Sequence, residues 1–172
     1  MDLLDRFLAN EALTQDETYS LLAIHSLSAE DILKIATWNF NLDDDYGDFP
    51  DFQREIFLSC LKQTAVNEEI VGAILEHVFA DVSDPDEAEP YDVFPYWCEV
   101  FEAALKIRKV STENLERIVS TYLLFDYVED EVEPEMQIRL LNLASSFTDL
   151  DPDVIDEIAD KTEELTSLIS EN

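Results

Sequence analysis

The sequence predicts an all-α fold: a right-handed stack of helical hairpins repeating about every forty residues. Three observations lead there. Glycine occurs only twice in 172 residues, and alternating β-branched runs are few. Apolar residues recur at i, i+3 and i+4, the spacing of a helix that buries one face. Four ten-residue segments match one another: LSAEDILKIA (27–36), VNEEIVGAIL (66–75), VSTENLERIV (110–119) and LDPDVIDEIA (150–159).

Each copy opens with an apolar residue, Leu27, Val66, Val110 or Leu150. The next position holds Ser28, Asn67, Ser111 or Asp151. These residue types cap helices, because their side chains accept a bond from a free N–H of the first turn. Two places on stands an acid, Glu30, Glu69, Glu113 or Asp153, suited to the positive end of the helix dipole. Then follow Ile32, Val71, Leu115 and Ile155, each placed to close a hydrophobic staple on the residue before the cap. Three further on, every copy has Ile: Ile35, Ile74, Ile118 and Ile158. The copies lie 39, 44 and 40 residues apart.

The segments ahead of the last three copies align as well. Ile56, Val100 and Leu140 correspond, as do Phe57, Phe101 and Leu141. Cys60, Ala104 and Ala144 form a small-residue position where helices approach closely. Pro50, Pro95 and Pro134 are expected to open these helices, since proline suits a first turn. The predicted hairpins are 50–79, 94–125 and 134–169. An N-terminal helical cap spans 1–40, with helices at 2–8, 16–26 and 28–40, and all 172 residues form one domain. This pattern resembles the HEAT and armadillo α-solenoids. LDPDVIDEIA is similar to the start of a HEAT second helix, where an Asp-Pro turn leads into an amphipathic helix. The resemblance implies an α-solenoid and a binding role.

The net charge is −31, from 41 acids against 10 Lys and Arg. Between Lys62 and Lys106 there are eleven acids and no Lys or Arg. Such a chain does not bind nucleic acid or an anionic membrane directly, since both require cations. The start, MDLLDRFLANEA, lacks the basic and apolar regions of a secretory signal, and no apolar run approaches the ~18 residues of a membrane span. A cytoplasmic protein is expected, with Cys60 and Cys98 as reduced core thiols.

The acid gathers in three linkers free of Lys and Arg: NLDDDYGDFPDF (41–52), DVSDPDEAEPYDVFPYW (81–97) and FDYVEDEVEPEM (125–136). Recurring at the repeat period, they predict a negative ridge along one edge, with Phe49, Phe52, Phe94, Tyr96 and Phe125 travelling along it. The expected partner-binding carboxylates are Asp43, Asp44, Asp45, Asp48, Asp84, Asp86, Glu87, Glu89, Asp92, Glu129, Asp130 and Glu131. Tyr46, Tyr91 and Tyr127 are the candidate anchors. Four hairpins at ~8–10 Å per packed helix extend roughly 40 Å. Duplex DNA carries roughly 24 charges over that length, the same order as this chain's excess.

No HExxH, CxxC, GxSxG or phosphate-cradling glycine loop is present. His25 and His77 read as structural. LDDDYGD fails as a calcium loop, because Gly47 at position six puts Leu42 and Tyr46 at ligand positions. No cofactor and no metal are expected. The expected function is non-enzymatic: occupation of a basic, nucleic-acid-binding surface on a nuclease or DNA-binding protein. A DNA-mimic inhibitor and a nuclease-toxin immunity protein fit equally. The alternative is an adaptor whose helical face grips a peptide or helix while the acid serves solubility.

Overall fold

The computed structural model describes residues 2–9, 11, 13–23, 26–37, 49–80, 90–124 and 133–171, the side chains at 15, 18, 19, 22, 49–52, 90–93 and 171 excepted. The described residues form helices and turns, with no strand among them. The chain divides into two compact units, Met1–Ile74 and Leu75–Asn172.

The first unit contains α1 (Leu3–Leu8), α2 (Gln15–Leu22), α3 (Ala29–Ala36), α4 (Phe49–Leu61) and the start of α5 (Glu68–Ala80). Asp2 and Asp5 close a capping box at α1. Helix α2 packs on α1 and α4, and α3 packs on α4. Phe7, Leu21, Ile32, Ile35, Ile56, Phe57 and Ile70 fill the core. Arg6 ties α1 to the turn after it and to α2, its Nε 3.0 Å from Glu11 and its Nη1 2.6 Å from Glu17.

The second unit continues α5 and adds α6 (Pro90–Ile107), α7 (Thr112–Ile118), a π-helical turn (Val119–Leu123), α8 (Pro134–Ser145) and α9 (Pro152–Glu171). Helix α8 packs on α9, on α6 and on the π turn, which also packs on α6. Tyr122, on the π turn, is 2% exposed and centres an aromatic cluster. Its ring lies 4.8 Å from Phe101, 6.0 Å from Phe79 and 6.2 Å from Phe94. Buried Gln137 of α8 donates from Nε2 to the Leu123 carbonyl at 2.7 Å. That bond satisfies one of the carbonyls a helix end leaves open.

All four predicted caps form. Ser28 accepts from the N–H of Asp31, Asn67 from Ile70, Ser111 from Asn114 and Asp151 from Asp153. In each copy the cap's own carbonyl takes the first helical bond, from Ile32, Val71, Leu115 and Ile155. The four matched isoleucines are all buried, as are all nine matched positions of the preceding helices.

One helix start differs from the sequence expectation. The pattern opens α6 at Pro95, but α6 begins at Pro90 and Pro95 lies inside it. An interior proline costs about 3 kcal/mol through its missing N–H. Starting earlier puts Phe94, Trp97, Cys98 and Phe101 on one face at i, i+3, i+4 and i+7, all buried. Burying one such large side chain contributes about 1.5–3 kcal/mol, so the longer helix wins.

Candidate interaction surface

Helices α5, α7 and α9 each turn their matched Ile inward, and their acids face outward. On α5 these are Glu68, Glu69 and Glu76, and on α7 they are Glu113 and Glu116, all exposed. Helix α9 carries seven carboxylates and one lysine. That lysine, Lys161, is 7% exposed, with its stem buried and its Nζ 3.0 Å from Glu164.

Local ion pairs occupy most of the scarce cations. Lys34 pairs with Glu30 and Asp31, and Arg117 with Glu76 while lying 4.0 Å over the Phe79 ring. Glu102 of α6 receives both Lys106 at 2.7 Å and Arg139 of α8 at 2.9 Å. The Lys106 hydrogen bond chiefly, helped by the Arg139 charge, holds the Glu102 carboxyl below its ordinary value against partial burial. Asp153, Asp156, Glu157, Asp160 and Glu163 have no paired cation among the described residues.

An open groove of about 470 Å³ runs between α8 and α9. Asn142 and Ser145 line it from α8; from α9 come Ile155, Ile158, Ala159, Thr162, Thr166 and their neighbours Glu163 and Ser167. Leu168 and Ile169, further along α9, are 45% and 37% exposed. A small cleft in the first unit is lined by Phe7, Leu21, Ile35, Ile56 and Gln63. Its lining is core, and it offers little room.

Asp43, Asp44, Asp45, Tyr46, Asp48, Asp84, Asp86, Glu87, Glu89, Tyr127, Glu129, Asp130 and Glu131 lie outside the described residues. Tyr91 and Asp92 belong to the first turn of α6, and their side chains also lie outside them. Phe94 corrects the expected aromatic ridge. It is 1% exposed, stacked 6.0 Å from Phe101, and therefore core. Tyr96 is half-buried, edge-on to Trp97 at 4.6 Å.

Sequence reasoning missed the α8–α9 groove. Its signal is a stripe of Ala, Thr and Ile at helical spacing, which does not read as an apolar face. Among the described residues no three His, Cys, Asp or Glu side chains group to hold a metal ion, and no helix is long and apolar enough to cross a membrane. No family model, curated protein or solved structure matches the chain.

Proposed function

We propose that this chain is a non-enzymatic binding protein that occupies and blocks a basic, nucleic-acid-binding surface of a partner protein. The observation that carries this reading is the uncompensated acid. The net charge is −31, the cations Arg6, Lys34, Lys106, Arg117, Arg139 and Lys161 are each held in local pairs, and the carboxylates of α5, α7 and α9 face outward. Such a surface attracts a cationic face, speeds encounter with it and rejects acidic competitors. The three acidic linkers, with Tyr46, Tyr91 and Tyr127 as anchors, supply the contact in this proposal. A nuclease or a DNA-binding protein has the matching surface, and the cytoplasm is the setting in which the two meet.

The same proposal holds that the hairpins stack as a HEAT-like solenoid with a repeat of about forty residues. The recurrence of cap and buried Ile supports it. So does the packing of α6 on α8, the first helices of successive hairpins.

The test is capture from host lysate at low salt, elution on a rising salt gradient, and assay of the eluted protein. The expected result is a nuclease or DNA-binding protein that elutes at moderate salt. This chain then blocks its nucleic-acid binding stoichiometrically. A partner indifferent to salt, or one whose nucleic-acid binding is untouched, sinks the proposal. Changing Asp84, Asp86, Glu87 and Glu89 to Asn or Gln should weaken the block. An undiminished block excludes that linker.

A further inference from the structure

We propose that the groove between α8 and α9 is a docking site for an amphipathic helix of a partner protein, one whose apolar stripe is flanked by Lys or Arg. This rests on the blocking function only in requiring a cationic partner.

The groove floor follows one face of α9. Ile155, Ala159, Thr162 and Thr166 succeed one another at steps of four, three and four, and Ile169 continues the stripe one step further. Asn142 and Ser145 make the opposite wall. These side chains are short. A third helix laid in the groove can therefore approach at the ~8–10 Å of packed helices, with anchors at i, i+3, i+4 and i+7 entering between the two. Ile155 and Ile158 supply apolar floor, and Ile169, 37% exposed, extends it.

Charge selects the occupant. Asp156, Asp160 and Glu163, spaced at i, i+4 and i+7, run along the border of the stripe. None of them has a paired cation among the described residues. The one lysine of α9, Lys161, is buried and lies 3.0 Å from Glu164. A second copy of the chain would bring its own acidic rows and a further −31 into contact, and like charges set side by side disfavour it. A helix with Lys or Arg beside its apolar stripe meets both features at once.

The probe is a fluorescent synthetic Lys/Leu peptide of amphipathic period, compared with a scrambled peptide of identical composition, by anisotropy on the full chain. The amphipathic peptide is expected to bind about tenfold tighter than the scramble or better. Ala159→Arg and Thr166→Arg place bulk on the exposed floor, and each should weaken binding by about tenfold. Glu99→Gln on α6, an exposed position, changes the net charge by the same one unit and should leave affinity within about twofold. Two floor positions are used so that misfolding of one variant, read by circular dichroism, leaves the other to decide. Equal binding of the scramble, or floor variants that bind like the parent, overturns the site. So does a concentration-dependent dimer in sedimentation that Ala159→Arg abolishes, which assigns the face to a second copy. Competition with DNA for a basic protein keeps the two proposals apart. Floor variants that still compete while losing the peptide confirm a separate site. A parent chain that binds the peptide selectively but never competes overturns the blocking function alone.

Discussion

Arg108 reaches Ser146, joining the turn after α6 to the turn after α8. Its Nη1 donates to Ser146 Oγ at 2.9 Å and its Nη2 to the Ser146 carbonyl at 2.8 Å. The guanidinium also lies 4.8 Å over the Phe147 ring. Arg108 makes this reach from a left-handed backbone, with φ of 58°, a conformation that costs a residue bearing a Cβ roughly 1–2 kcal/mol. Two substitutions separate tie from strain. Arg108→Ala keeps the strain and loses the tie, while Arg108→Gly loses both. Arg108→Gly should therefore be the more stable of the two by about 1 kcal/mol, read from denaturant midpoints at constant m-value. Equal stability would mean that the left-handed turn carries no strain.

The four caps make a matched series. Ser28→Ala, Asn67→Ala and Ser111→Ala should each cost about 1 kcal/mol, because each removes the acceptor for one N–H of the first turn. Asp exchanged for Ser111 should restore most of the loss, since it also accepts and suits the dipole. If Ser111→Ala proves neutral in urea unfolding, the hydroxyl's bond to Asn114 contributes nothing to stability.

Cys60 and Cys98 are both buried and free. Burial pushes each thiol up to about 12. The thiolate is the reactive form, so neither should react measurably with a thiol reagent at pH 8 in the folded chain. Both should react promptly in denaturant. Rapid labelling of either under native conditions would show that its surroundings open.

Glu102 gives stability a pH dependence of known sign. Its folded carboxyl sits below the ordinary 4.5, so its contribution is fully present above pH 4.5 and is lost as pH falls through the lower folded value. Glu102→Gln should destabilise the chain by on the order of 1 kcal/mol at pH 7, by releasing Lys106 and Arg139. The gap between the two proteins should narrow below pH 4.5. A gap that persists at low pH would assign the effect to packing and not to charge.

What was legible in the sequence was local. The caps at Ser28, Asn67, Ser111 and Asp151 are set by side chains within three residues of the bond they make, and the matched isoleucines follow from helical period alone. Pro95 misled because its preference for a first turn is outweighed by the burial of Phe94 and Trp97, which depends on partners distant in the chain. The π turn at Val119–Leu123 had no signal, since its wide geometry follows from the packing of Tyr122 among Phe79, Phe94 and Phe101. The same packing drew Phe94 into the core, where the sequence pattern placed it beside the acid. The α8–α9 groove was hidden because Thr, Ala and Ser carry the stripe, and hydropathy does not mark them.

Salt should act on folding and on binding with opposite sign. Within the chain, −31 of net charge opposes compaction. The pairs made by Lys34, Lys106 and Arg117 involve exposed cations, and such pairs contribute about 0–1 kcal/mol each. Screening therefore removes more repulsion than attraction. The screening length falls from about 30 Å at 0.01 M to about 10 Å at 0.1 M, which uncouples carboxylates on different helices while sparing close pairs. Tm should rise by about 2–4 °C per kcal/mol of relieved repulsion as NaCl increases over that range, while affinity for a basic partner falls. Sodium chloride and a chloride salt of a bulky organic cation should act alike, since screening depends on ionic strength alone. A Tm that stays flat or falls would mean that the exposed carboxylates of α5, α7 and α9 are already compensated in the fold. The surface would then lack the potential on which the blocking function depends.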